Sequence, residues 1–229
     1  MHWLETWWIP PRSVLSQTPG AGLDLNAEEL ASLPVVQDVC PQCAEFSAGG
    51  HLCGRCLTQP PSYDQTQVAF YYQAPVDQLI LALKYQRQLS NARLLSELYW
   101  QQCAAALQAA DVQALVAVPT HPLRRRERGY NQADLLAQQL AKRLRVPLLS
   151  AAVVRQRATA SQTRLSAPQR QQNLRNAFAL MPTPFAELQR IALVDDVITT
   201  GATMQALASL IKQQTAVEFV AAWALAKTP

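Results

Sequence analysis

After Gly54 the chain runs for 175 residues with only two glycines, Gly129 and Gly201. Seven glycines in 229 residues is less than half the usual share of about 7%. Glycine supplies the positive-φ positions on which tight two-residue hairpins depend, so a chain this poor in it is not built as a hairpin-rich all-β fold. The same scarcity marks Gly129 and Gly201 as positions where the backbone must turn sharply or come close to something.

What takes the place of hairpins is alternation. Residues 68–72, 114–118, 190–194 and 217–225 are short apolar runs of the kind found in buried parallel strands. Between them, 76–85, 91–110, 131–144 and 203–212 repeat Leu, Ile and Ala at helical spacing. Residues 147–154 can hold a further strand, and 26–33 a short helix capped by Asp24 or Asn26. Strands alternating with helices of ten or more residues predict an α/β fold with a mostly parallel sheet covered by helices on both faces. Pro60 and Pro61 suggest a boundary between an N-terminal segment (1–61) and a main domain (62–229). The polar stretch 156–178 fits neither period. A long irregular segment of this kind is a functional lid or binding loop, or else disordered.

No run approaches the 18 or more apolar residues of a membrane span, and the start, MHWLETWWIPP, lacks the basic region of a signal peptide. Four of the five cysteines form two C-x2-C pairs, Cys40/Cys43 and Cys53/Cys56, nine residues apart. That spacing suits a closed, tetrahedral, structural Zn²⁺ site in a reducing cytoplasm, with Gly54 in the tight turn of the second knuckle. A closed site does no Lewis-acid chemistry; it folds a segment that lacks a core of its own.

The net charge of +4 conceals an asymmetry. From 119 to 175 there are twelve basic residues against two acidic ones, a local balance of +10 in a chain that is otherwise −6. Such a segment points to an anionic ligand, either small-molecule phosphate or a nucleic-acid backbone, or else it is a solvated basic surface.

The most informative stretch is IALVDDVITTGAT, residues 191–203. A buried strand is expected to deliver Asp195 and Asp196 to its carboxyl end, where ligands of open α/β sheets sit. The turn Thr199-Thr200-Gly201-Ala202-Thr203 then sets backbone N–H groups and hydroxyls at a helix N-terminus, a phosphate cradle that Gly201 allows the ligand to approach closely. The paired carboxylates accept hydrogen bonds from vicinal sugar hydroxyls or hold hydrated Mg²⁺. Two carboxylates repel a bare phosphate, so the expected ligand carries both phosphate and hydroxyls, as a ribose 5-phosphate group does. A capped helix after an ordinary strand accounts for one Thr and one Asp but not for the run.

Two further elements stand out. One is Val118-Pro119-Thr120-His121-Pro122, followed by R-x-R-G-Y-N-Q at 126–132; Arg126 and Arg128 there contact phosphate oxygens or form a surface salt-bridging turn, and Asn131 is a candidate cap. The other is R-x-T-x-x-Q-x-x-L at 157–165, continued by N-L-x-x-A-F at 173–178.

The 191–203 run resembles the phosphoribosyl pyrophosphate (PRPP) signature of type I phosphoribosyltransferases. With the other two elements, it identifies residues 40 to the end as similar to the ComF (ComFC/GntX) family of competence and DNA-utilisation proteins. The resemblance implies a type I phosphoribosyltransferase fold with a small N-terminal zinc module, and Asp195 and Asp196 acting with Mg²⁺ and PRPP. It places Thr120 and His121 in a pyrophosphate loop, although His121 is equally readable as an exposed loop histidine. It also makes 157–178 a mobile loop acting through Arg157 and Arg164, or one held by Gln162 and Asn173. Many relatives carry an earlier cysteine pair where this chain has Ser13 and Ser16; hydroxyls do not replace thiolates for zinc, so one metal site is expected here. Trp3, Trp7 and Trp8 then pack that segment or stack on bases.

Two functions follow from the resemblance. One is a cytoplasmic DNA-handling protein of competence, with PRPP, single-stranded DNA and proteins of the uptake machinery as partners. The other is a phosphoribosyltransferase of base metabolism, for which no base-specificity element is evident.

Overall fold

The computed structural model describes residues 11–156, 177–181 and 185–229. Six strands lie among them: β1 (Gln65–Tyr71), β2 (Ala114–Ala117), β3 (Val153–Arg155), β4 (Phe178–Leu180), β5 (Arg190–Ile198) and β6 (Phe219–Lys227). Four form one sheet in the order β1-β6-β5-β2, and every neighbouring pair is parallel. Parallel neighbours require crossovers, which here are helical. After two short N-terminal helices, α1 (Ala27–Ala31) and α2 (Gly54–Thr58), α3 (Val76–Tyr85) and α4 (Ser90–Ala109) carry the chain from β1 to β2. Helices α5 (Pro122–Arg128) and α6 (Gln132–Leu144) follow β2, and α7 (Ala202–Gln214) joins β5 to β6. The expected α/β class and mostly parallel sheet are found.

Side-chain alternation along the strands divides the core in two. Phe70, Leu115, Ala192, Val194 and Trp223 pack with Leu79, Leu95, Leu98, Leu136 and Leu140 of α3, α4 and α6. Val68, Val116, Ile191, Leu193 and Val220 pack with Leu207 and Ile211 of α7 and with Val153 and Phe178 of the β3–β4 ribbon. Both faces of the sheet are covered, which is why its strands read as continuous apolar runs.

Two expectations need correction. The strand expected over 147–154 is split. Leu148 makes a single parallel bridge to Leu115, the chain turns through Ala151 at a φ of 61°, and β3 leaves the main sheet to pair antiparallel with β4. The strand expected over 190–194 continues to Ile198, because β6 beside it runs equally far and pairs Val197 with Ala226 and Ile198 with Lys227.

The N-terminal segment is fastened to the sheet. The Tyr71 N–H donates to the Pro34 carbonyl (2.7 Å) and the Val36 N–H to that of Ala69 (2.9 Å), covering the open edge of β1. Leu25 lies fully buried in the core below α3 and α4. Of the two candidate caps for α1, Asn26 is the one used: its side chain accepts from the Glu29 N–H while the Glu29 carboxylate accepts from the Asn26 N–H, both at 2.8 Å.

Candidate functional site

The site is built where β5 ends and α7 begins, beyond the carboxyl edge of a parallel sheet. Because β5 is longer than expected, Asp195 and Asp196 lie within it rather than at its end. Only then come the exposed Thr199 and Thr200, the buried Gly201, and α7 from Ala202. Asp195, Val197 and the turn through Thr203 line a shallow depression that is partly open to solvent. Thr200 Oγ1 accepts from the Ala202 N–H at 3.4 Å, in the first turn of the helix.

The two carboxylates are in different situations. Asp196 is almost buried and its Oδ2 stands 2.6 Å from Lys84 Nζ on the last turn of α3, while its Oδ1 accepts from the Val197 N–H. Asp195 Oδ1 accepts from the Asp196 N–H at 2.8 Å. Burial and the neighbouring Asp196 charge push the Asp195 carboxyl well above the usual carboxylate range, and Lys84 only partly opposes them.

The fold itself requires a glycine at 201, whatever binds there. Its φ is +71°, and a Cβ built on it falls 2.7 Å from the Tyr63 hydroxyl. Tyr63 is 4% exposed, and burial pushes its phenol up to about 12. It is held from both sides. The Gln42 amide donates to its carbonyl, and its neighbour Ser62 exchanges two hydrogen bonds with Gln205 of α7 (2.6 and 2.8 Å).

A second cation acts on the carboxylates. Arg155 of β3 has a half-buried guanidinium whose pKa is lowered by burial and by Arg124 of α5, and raised by Asp195. Lys227, at the end of the central strand β6, is 4% exposed and pairs with Glu45 at 3.4 Å. Lys84, Arg155, Lys227 and Tyr63 were not singled out from sequence. Lys227 left a trace there, as the lone charge closing an otherwise apolar run; Lys84 reads as an ordinary basic residue near a helix C-terminus.

The second element is a helix rather than a turn. His121 caps α5, its Nδ1 accepting from the Leu123 N–H at 3.2 Å, so one ring nitrogen is committed to structure. Thr120 is half-buried beside it and Arg126 is exposed. Arg128 is turned inward, bonding Gln132 Oε1 at 3.2 Å and stacking 5.0 Å over the Tyr85 ring. Gly129 ends α5 at a φ of 87°. Asn131 occupies the N-cap position of α6 but makes no cap; its amide donates to the Val118 carbonyl at 3.0 Å, tying that helix to the end of β2. Arg157 and Arg164, like Trp3, Trp7 and Trp8, lie outside the described residues.

The four cysteines meet. One sulfur from each of Cys40, Cys43, Cys53 and Cys56 lies within 4.8 Å of the others, and three of the residues are buried. Burial works against the Cys40 thiolate, yet backbone N–H groups, that of Cys53 first, bring its pKa down to about 7. Burial and the other three thiols push Cys56 up. Thiols this close ionise together only if a cation takes their charge, which a structural Zn²⁺ does. Gly54 is not the tight turn of the second knuckle: it opens α2, its φ is not positive, and a Cβ there meets nothing. In the first knuckle a left-handed position falls at Ala44, just after Cys43, with a φ of 57°. The module is bonded to β1 through Thr66, whose N–H donates to the Pro41 carbonyl and whose hydroxyl donates to that of Gln42.

Ser13 and Ser16 form a hydrogen-bonded knuckle. Buried Ser13 Oγ accepts from the Leu15 and Ser16 N–H groups, both at 3.1 Å, and donates to the Glu29 carboxylate. Burial raises the Glu29 pKa, but the hydrogen bonds from Ser13, the Asn26 N–H and Ser16 outweigh it and leave the carboxyl lowered.

No family model matches the chain. Named proteins resemble it over most of their length, among them the following three. Competence protein F of Haemophilus influenzae is 38% identical over 196 residues, 82% of this chain and 84% of that protein. DNA utilization protein YhgH of Escherichia coli strain K12 is 38% identical over 195 residues, covering 83% and 84%. The protein of the same name from Salmonella typhimurium is 38% identical over 194 residues, again covering 83% and 84%.

Proposed function

The chain belongs to the ComF family, and from that premise we propose that it acts in DNA uptake and utilisation through a site that takes up PRPP with Mg²⁺, and that it handles single-stranded DNA. The observation that supports this reading best is the meeting of two kinds of group around one depression. Asp195, with Asp196 next to it in β5, and the hydroxyl-rich turn at the start of α7 line it together. A ligand with a phosphate for the turn and hydroxyls for the carboxylates fits that combination; a bare phosphate does not.

In this reading the N–H groups opening α7 and the hydroxyls of Thr199, Thr200 and Thr203 hold the 5-phosphate. Asp195 and Asp196 orient the ribose hydroxyls, and Mg²⁺, when bound through them, offsets charge on the pyrophosphate. Thr120 and His121 stand after β2 for the pyrophosphate, with His121 able to use only its Nε2. Arg126 is free to reach an anion, whereas Arg128 must first leave Tyr85 and Gln132. Arg157 and Arg164 are proposed as lid cations. The four cysteines bind a structural Zn²⁺ in the N-terminal segment (1–61), which stands beside the ligand-binding domain (62–229).

No helix among the described residues is long and apolar enough to cross a membrane. The thiol cluster suits a reducing compartment, and we place the protein in the cytoplasm with the DNA-uptake machinery as partner.

The test is thermal melting with PRPP. Stabilisation that requires Mg²⁺ and disappears in Asp195→Asn with Asp196→Asn is the expected result. A wild-type protein indifferent to PRPP and Mg²⁺ would overturn the reading.

A further inference from the structure

Lys84 lies outside the strand–turn–helix run, yet it makes the closest charged contact in the site. Its ammonium stands 2.6 Å from Asp196 Oδ2, and both side chains are largely withdrawn from water, at 18% and 12% exposure. It reaches there from the last turn of α3, on the helical layer that covers one face of the sheet.

The ammonium 2.6 Å from Asp196 Oδ2 neutralises that carboxylate and repels a metal ion approaching the same oxygen. Mg²⁺ takes carboxylate oxygens directly or through its own waters, and in either case an ammonium held on the same carboxylate opposes its charge. A pair withdrawn from water also cannot be opened at no cost, since either partner left alone is an uncompensated charge in a poorly solvated place. The departing ammonium therefore needs a new anion. The charge count points the same way. Asp196 is already matched by Lys84, so a free divalent ion finds no unpaired charge on that carboxylate.

We infer that Lys84 is a resident counter-ion of Asp196 which is exchanged on binding: the ligand's metal takes its place on the carboxylate, and the ammonium passes to the ligand's phosphates. This deepens the proposed function and rests on it. The site thereby selects a metal–polyphosphate pair arriving together over either component alone. A hydroxylated sugar with a single phosphate draws Lys84 away less well than a pyrophosphate ester does.

The experiment separates the two claims. Mn²⁺ is titrated alone into the wild type, Lys84→Gln, and Lys84→Gln with Asp196→Asn, with free Mn²⁺ read from its paramagnetic resonance signal. PRPP is then titrated in Mg²⁺ with each protein. The expected result is that Lys84→Gln binds Mn²⁺ alone at least tenfold more tightly than the wild type, that the gain vanishes in the double variant, and that PRPP binding falls at least tenfold. Lys84→Met, which keeps the aliphatic stem packed, is measured in parallel and replaces the amide variant if that one is unfolded by circular dichroism. Unchanged Mn²⁺ affinity in the folded variant overturns the counter-ion role, even if PRPP binds normally. A gain in Mn²⁺ affinity beside a wild type that ignores PRPP upholds the counter-ion and overturns the PRPP reading.

Discussion

The Tyr63 hydroxyl occupies the space in which a side chain on residue 201 would begin, 2.7 Å from the Cβ position. Gly201 is thus constrained twice, by this contact and by its φ of +71°. The second constraint alone costs an L-residue about 1–2 kcal/mol, and the contact adds the displacement of a buried ring packed against the module that carries the cysteines. Gly201→Ala is expected to lose about 2–4 kcal/mol in urea unfolding, within the range reached by strain at a special φ combined with overpacking. In a Tyr63→Phe background the next ring atom is 3.7 Å away, and the loss falls to the backbone part. Equal losses in the two backgrounds would show that the hydroxyl plays no part.

The site carries a stability cost in its carboxylates. Burial and Asp196 hold the folded-state pKa of Asp195 above its unfolded value, so the folded chain binds that proton more tightly than the unfolded one does. The penalty is full above the folded pKa, and stability recovers as pH falls through it toward about 4, the unfolded value. Asp195→Asn is expected to melt above the wild type at pH 8, with the difference shrinking on acidification, while the PRPP-dependent shift is lost. An asparagine variant less stable than the wild type at pH 8 contradicts this account.

For the cysteines, elemental analysis is expected to find one zinc per chain. Two metals, or none, would contradict the four-sulfur assignment. A chelator strong enough to remove the ion, or Cys43→Ser, is expected to lower the melting temperature strongly, because structural zinc contributes on the order of 10 kcal/mol to the segments it folds. The effect extends beyond the module. Glu45 pairs with buried Lys227 at the carboxyl end of β6, and Thr66 of β1 is bonded to Pro41 and Gln42. Protection of the β1 and β6 amides from hydrogen exchange should therefore fall along with that of residues 40–58.

Local patterns carried much of this fold in a form that can be read directly. Residues 76–85 were expected as a helix and are one, because an amphipathic run of Leu, Ile and Ala between polar breaks has few other uses. The ends of β5 and β6 were not legible. What extends them is mutual pairing of Val197 and Ile198 with Ala226 and Lys227 across a ladder, which no window along one strand contains. The same holds for the site. The run from Asp195 to Thr203 is contiguous and therefore readable, whereas Lys84 and Tyr63 reach it across more than a hundred residues of chain. Helix α5 was missed for another reason: Leu123 is its one apolar side chain apart from Pro122, and its stability comes from the His121 cap and the Gly129 stop rather than from a buried face.

The exposed cations of α5 supply the last test. Arg124, Arg125 and Arg126 project from a helix that begins just past the end of β2, and the charge of Arg124 reaches Arg155, which acts on Asp195. If this face holds single-stranded DNA, binding releases condensed counterions, and log K falls with log salt by about 0.7 for each phosphate neutralised. Arg124→Glu with Arg125→Glu then removes two such contacts. The salt slope is expected to fall by about 1.4, and affinity at moderate salt by at least tenfold, with little change in melting temperature because neither side chain is buried. Measured by fluorescence anisotropy with a labelled oligonucleotide, affinity indifferent both to salt and to the double reversal would remove these arginines from any DNA-binding role.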